Sequence, residues 1–283
     1  MKKISNYFKN NINLQNFNLN NSQYSEDIKN YYQNAQSDAI HCYCRIKRYL
    51  DKNKKILEVG GGIHLLTSFL NQDYDITSVE PGKFTDYTEQ LRKQILSRTK
   101  LNVYTTTLEN FKIHDKFDFI FSMNVLEHTD DIEEHIRCCL KLLKDENSLL
   151  FIQCPNYAFP FEPHFYKWFI PFFPKFTFGY FRKKNLIKTL GEKKYISIVK
   201  NLNFDCTYLK IKKLNFPIKF VHPLKDIFDR IEQDRVFKDR LLKNLLVRLC
   251  YKIIIFLQIK KIVTYLFPIS LTPYLIMKIK KYK

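Results

Sequence analysis

The run Lys55-Ile56-Leu57-Glu58-Val59-Gly60-Gly61-Gly62 constrains this chain more than any other stretch. Five residues that read as a buried strand stop abruptly at three glycines. A helical face built from Leu65, Leu66, Phe69 and Leu70 follows at once. Glycine lets a backbone turn sharply and approach a ligand closely, and the free N–H groups at a helix start favour polar ligand atoms. A second strand, Asp75-Ile76-Thr77-Ser78-Val79-Glu80, comes next. Strands alternating with helices imply a parallel sheet with right-handed crossovers.

The same rhythm continues for most of the first half. Phe84 to Arg98 reads as a helix, Leu101 to Thr105 and Phe117 to Ser122 as strands, Asp130 to Leu143 as a helix and Ser148 to Gln153 as a fifth strand. Upstream, apolar residues at helical spacing run from Ala35 to Leu50, behind a polar N-terminal segment, 1–34, whose first 25 residues are expected to fray or dock loosely. Beyond Pro155 the period is lost in a stretch dense in Pro and Phe, read as a cap over 155–190. A helix from Ile187 to Leu202 and a strand from Asp205 to Leu214 are expected next. Two or three Leu/Ile- and Lys/Arg-rich helices then occupy 223–266, and a strand-like run lies within 273–281.

The chain of 283 residues is long enough for one large domain, 35–283, and carries a formal charge of +19. Such a charge suits acidic partners, or simply a Lys-rich solvated surface. The seven cysteines include no CxxC pair, so neither a zinc site nor a disulfide scaffold is indicated. The Asn- and Lys-rich start lacks the apolar core of a signal peptide, and no run of 18 apolar residues occurs. A cytoplasmic protein is expected, either soluble or peripheral to the inner face of the membrane.

Glu80 ends the second strand 20 residues after Gly60. A carboxylate there can accept both hydroxyls of an adenosine ribose. A nicotinamide-binding loop wants glycine at its first, third and sixth positions, and the sixth from Gly60 is Leu65. Glu58, just before the glycines, would be unwelcome beside a pyrophosphate but suits an ammonium group.

From Lys54 to Pro155 the chain resembles the class I S-adenosylmethionine-dependent methyltransferases, near the ubiquinone-biosynthesis O-methyltransferase group. Four segments match in order: Glu58-Val59-Gly60-Gly61-Gly62, Val79-Glu80-Pro81, Thr107-Leu108-Glu109-Asn110-Phe111, and Phe117 through His128. The resemblance implies a Rossmann-like α/β fold. It would have a seven-stranded mixed sheet with helices on both faces, the Phe/Pro-rich cap, the helical C-terminal insertion at 223–266, and an antiparallel closing strand at 273–281. The implied cofactor is S-adenosylmethionine. Gly60 and Gly62 would line its methionine part, Glu58 would help hold its amino group, and Glu80 would hold the ribose. Leu108 and Glu109 would flank the adenine, and Ser122, Met123 and Asn124 would border the sulfonium region. The family often has a third glycine where this chain has His64, a side chain that would narrow the carboxylate end of the pocket.

Two histidines are catalytic candidates. His128 closes a Leu-Glu-His triplet similar to the family's, and either acts as a base or holds the loop. His164 lies in Pro155-Asn156-Tyr157 through Glu162-Pro163-His164-Phe165, which resembles segments of methyltransferases from bacterial surface-glycan clusters. It can accept a proton from a hydroxyl acceptor, or pack in a rigid lid. The expected reaction is O-methylation of a hydroxyl-bearing small molecule or cell-surface glycan. The basic residues of 223–266 would contact anionic membrane or be solvated. A nucleic-acid methyltransferase is disfavoured, because Ser122-Met123-Asn124-Val125 replaces the Asn/Asp-Pro-Pro-Tyr/Phe motif of that class. A non-catalytic binding protein that kept the fold stays open on account of His64.

Overall fold

The computed structural model describes residues 2–14, 25–82, 86–162, 167–170, 173–190, 202–224, 226, 253 and 260–281. Seven strands form one mixed sheet in the order β3-β2-β1-β4-β5-β9-β8. These are β1 (Lys55–Val59), β2 (Asp75–Val79), β3 (Asn102–Tyr104), β4 (Phe119–Met123), β5 (Leu149–Pro155), β8 (Ile218–Val221) and β9 (Tyr274–Lys280). β1 pairs in parallel with both β2 and β4, and β2 with β3. β8 and β9 run antiparallel, with Phe220 opposite Met277. The expected Rossmann-like sheet with its antiparallel closing strand is therefore present. A short antiparallel pair, β6 (Phe161–Glu162) and β7 (Lys167–Trp168), stands apart from it.

By internal contacts the chain divides into two compact units, one comprising 1–123, 137–151 and 280–283, the other 124–136 and 152–279. In the first, β1 is buried from Ile56 onward on both faces, as a central parallel strand must be, so its apolar residues run without alternation. Helix α3 (Leu65–Leu70) is buried along its whole length. Helices α4 (Asp86–Arg98) and α5 (Ile132–Leu142) follow β2 and β4 as expected.

The N-terminus departs from expectation. Residues Lys2–Asn11 form helix α1, whose Ile4, Tyr7 and Phe8, with Ile12 just beyond, are buried. That spacing of three, four and eight is one helical stripe. Tyr7 donates a hydrogen bond to the Ser68 carbonyl at 3.0 Å and stacks edge-on against Phe69 at 5.6 Å. Helix α2 runs Ser25–Ile46, longer at its start than the spacing suggested. The described polar residues of α1 face solvent while a narrow apolar stripe anchors the helix.

In the second unit, the segment expected to form a cap contains α6 (Pro174–Phe176), which passes into a π turn, Thr177–Phe181, and then α7 (Lys183–Leu190). The strand expected over Asp205 to Leu214 is instead helix α8 (Tyr208–Lys212). Thr207 caps it, accepting a hydrogen bond from the Lys210 N–H at 3.4 Å. The strand comes later, as β8, after Pro217. Of the insertion expected at 223–266, helix α9 (Lys260–Leu266) is seen, and the basic run from Arg230 to Lys252 lies outside the described residues.

Candidate cofactor-binding site

The glycine turn after β1 is held by short backbone bonds. The Gly60 N–H donates to the Val79 carbonyl at 2.8 Å, and the His64 N–H donates to the Gly61 carbonyl at 2.8 Å. Gly60 and Gly62 have φ of 79° and 54°, a region that admits glycine freely and other residues at a cost. Gly61 and Gly62 differ in what a side chain would meet. A Cβ on Gly61 would lie 2.3 Å from Ser78 Oγ and 2.6 Å from His64 Nδ1, whereas one on Gly62 would meet nothing within 4 Å. Gly61 is thus filled from below, while Gly62 borders open space.

Glu80 is the centre of the site. One carboxylate oxygen accepts the Gly62 N–H at 2.9 Å and the other accepts the Gly82 N–H at 3.3 Å. Each oxygen keeps a second lone pair, so the pair can still receive two hydroxyl donors. Burial raises the Glu80 carboxyl above its ordinary range, while the two glycine N–H groups and the Arg92 guanidinium oppose that rise. Arg92 is itself clamped by Glu89 at 2.8 and 2.9 Å.

Glu58 is buried beside the same turn and accepts a hydrogen bond from the Thr67 hydroxyl of α3. Burial pushes its carboxyl up to about 7. The Thr67 hydroxyl pulls it down, and the Glu80 carboxylate adds to the rise. No cation among the described residues contributes to this shift, and a buried carboxyl near neutrality suits a positive group. Neither Thr67 nor Arg92 stood out in the sequence. Thr67 sits at the third position of α3 and so reaches back to the strand end.

His64 is fully buried, with φ of 61°. Its Nδ1 lies 3.1 Å from Ser78 Oγ, so the imidazole is tied down to β2 and does not stand at the surface of the glycine turn. Burial lowers its pKa to about 4, helped by Arg92 and opposed by Glu89, and the ring is neutral at pH 7.

The structure brings Glu58, Gly60, Gly62 and Glu80 around one turn. Leu108 is buried beyond β3, whereas its neighbour Glu109 is exposed. The Tyr104 and Phe111 rings meet edge-on at 5.0 Å, and the Tyr104 carbonyl accepts the Glu80 N–H at 3.0 Å, which ties this segment to the end of β2. Ser122 is fully buried at the end of β4. Asn124 has φ of 57°, and its side-chain oxygen accepts from Gln153 Nε2 at 3.0 Å. His128 is exposed on the 3-10 turn Leu126–His128, next to the fully buried Glu127. His164 lies outside the described residues.

Asn156 is a latch. It is fully buried, and its amide donates to the Ser270 and Thr272 carbonyls at 3.0 and 2.8 Å. Its side-chain oxygen accepts the N–H groups of Ala158 and Tyr208 at 3.2 and 3.3 Å.

A family model described as a methyltransferase domain matches residues 31–209. The chain belongs to that family. The methyltransferase class read from the four ordered segments is thereby borne out, and the cofactor of that class is S-adenosylmethionine. An uncharacterized protein of Mycobacterium tuberculosis is 40% identical over 116 residues, 39% of this methyltransferase-family chain and 39% of that protein. A ubiquinone biosynthesis O-methyltransferase of Pelagibacter ubique is 31% identical over 113 residues, 37% of this chain and 43% of that protein. The chain thus spans 39% to 43% of the length of these curated relatives. A solved structure from Thermotoga maritima, described as an S-adenosylmethionine-dependent methyltransferase and possible histamine N-methyltransferase, covers 92% of this chain and 97% of its own. The two share 12% identity at a TM-score of 0.45.

The residues fit the cofactor of the class. Gly62 leaves the space a Cβ would fill, Glu80 retains acceptor capacity on both oxygens, and Glu58 is a buried carboxyl with no cation against it among the described residues.

Proposed function

We propose that this protein transfers a methyl group from S-adenosylmethionine to a hydroxyl oxygen of a small-molecule or cell-surface glycan-type acceptor. The observation that carries the cofactor half is the Glu80 carboxylate, fixed by the Gly62 and Gly82 N–H groups with one free lone pair per oxygen for the ribose hydroxyls. Glu58 would receive the amino group, Gly60 and Gly62 would line the methionine chain, and Leu108 with Glu109 would flank the adenine. Ser122, Met123 and Asn124 would border the reacting end. When bound, the cofactor supplies a methyl carbon already activated by its sulfonium. The protein has then to align an acceptor oxygen with it, exclude water and take away one proton. His128 and His164 are the candidates for accepting that proton.

The oxygen acceptor is favoured by the 31% identity to a protein named as a ubiquinone biosynthesis O-methyltransferase, and by the Glu-Pro-His segment's likeness to enzymes of surface-glycan clusters. The test is transfer of labelled methyl from S-adenosylmethionine to panels of phenolic, catecholic and sugar hydroxyl acceptors, with amines and single-stranded DNA alongside. Label on a hydroxyl compound supports the reading. Label on amine or nucleic acid alone overturns it.

A further inference from the structure

The segment 173–180 exposes an aromatic face to which none of the residues assigned above belongs. Phe173, Phe176 and Tyr180 follow one another at spacings of three and four and are 60%, 50% and 76% exposed. The rings of Phe176 and Tyr180 stack at 5.6 Å, so they share a face. The other face of the same segment is the packed one, with Pro174, Thr177 and Phe178 buried and Phe178 edge-on to Phe169 at 5.6 Å. Trp168, on β7, is 57% exposed as well. A helix that buries one apolar face and presents a second one to solvent has a partner for the second.

The charge pattern says what that partner is. Between residues 167 and 190 there are six Lys or Arg and no Asp or Glu. Among them Lys175, Lys183 and Lys184 are exposed around the aromatic stripe. Aromatic rings flanked by lysines, whose nearest acidic residue along the chain is Glu162, opposite Lys167 on β6, match a bilayer interface. There the rings enter the headgroup region and the ammonium groups meet anionic headgroups. A second copy of this chain fits poorly, because an isologous contact would bring like-charged faces of a +19 protein together.

We propose that the stripe Phe173–Phe176–Tyr180, with Trp168 and its surrounding lysines, docks this protein on an anionic lipid surface. The inference is independent of the methyl-transfer reading, since it needs only this exposed face. It also places the contact elsewhere than the basic run of 223–266.

Trp168 is the chain's one tryptophan and so reports directly on the event. With phosphatidylglycerol–phosphatidylcholine vesicles its fluorescence shifts to the blue and is quenched by brominated acyl chains. With pure phosphatidylcholine vesicles it does neither. The variant Phe173→Ser/Phe176→Ser/Tyr180→Ser keeps the net charge, yet binds the anionic vesicles at least roughly tenfold more weakly, because three ring insertions are lost. Tyr180→Ser alone, at the most exposed position of the stripe, gives a smaller loss in the same direction and guards against misfolding of the triple variant. Undiminished vesicle binding by a folded triple variant would show adsorption by charge alone and overturn the proposal. So would an unshifted Trp168 spectrum, or a stripe-dependent dimer or single-stranded DNA complex without vesicle binding.

Discussion

Replacing Glu58 by Gln should change how stability depends on pH more than how stable the protein is at any one acidic pH. The Glu58 carboxyl titrates near 7 in the fold against an ordinary value of 4.5. Between those values the folded state holds a proton that the unfolded chain has released, so stability falls as pH rises through this window. Above pH 7 the full cost of the buried charge is present, about 3 kcal/mol. Gln keeps the shape, can accept the Thr67 hydroxyl and cannot ionise. Near pH 4.5 variant and wild type should therefore agree within about 1 kcal/mol. Near pH 8.5 the variant should be the more stable by about 3 kcal/mol, or roughly 6 °C in melting temperature for a chain of this length. Thermal melts of both proteins across that range, without cofactor, measure the difference. Curves that stay parallel would refute the argument that burial holds this carboxyl near neutrality.

Gly61 and Gly62 should respond differently to alanine. Gly62→Ala has space for its methyl and meets only the positive φ, so its stability cost should be about 1 kcal/mol while cofactor affinity, read by calorimetry, falls sharply. Gly61→Ala must displace His64 from Ser78 and should lower the melting temperature by more than Gly62→Ala does. Asn156→Ala leaves the Ser270 and Thr272 carbonyls without their donor and should cost about 3 kcal/mol in denaturant unfolding. Cofactor binding near pH 7 should release about half a proton, because an ammonium beside Glu58 favours its ionised form. Calorimetry in buffers of different ionisation enthalpy would show it, and Glu58→Gln should abolish it.

The sheet was legible because its central strands are buried on both faces. Ile56 to Val59 and Phe119 to Ser122 are uninterrupted runs that glycines or turns bound cleanly. The glycine turn of the candidate site was legible for a related reason. Strand-end carboxylates and a glycine turn sit at fixed distances along a βα unit, so Glu58, Gly60, Gly62 and Glu80 could be placed by counting. Helix α1 was missed because Ile4, Tyr7, Phe8 and Ile12 are sparse among Asn and Lys, and only their spacing betrays the stripe. The segment from Asp205 was misread because its Leu and Ile serve either period, and the Thr207 cap was the signal that decides for helix. Asn156 carried no such signal. The two carbonyls that its amide holds are more than 110 residues away in sequence, beyond any local pattern. The orientation of His64 was not legible either, since its contact with Ser78 crosses from the glycine turn to β2.

The most direct test of the cofactor site is calorimetric titration with S-adenosylmethionine of the wild type and of Glu80→Ala, with NADH as a control. The wild type should bind saturably and ignore NADH. The folded variant should bind roughly tenfold to a hundredfold more weakly, as expected for losing charge-assisted hydrogen bonds to the ribose. Failure of a folded wild type to bind S-adenosylmethionine or its demethylated product, or equal affinity in the Glu80→Ala variant, would contradict the site described here.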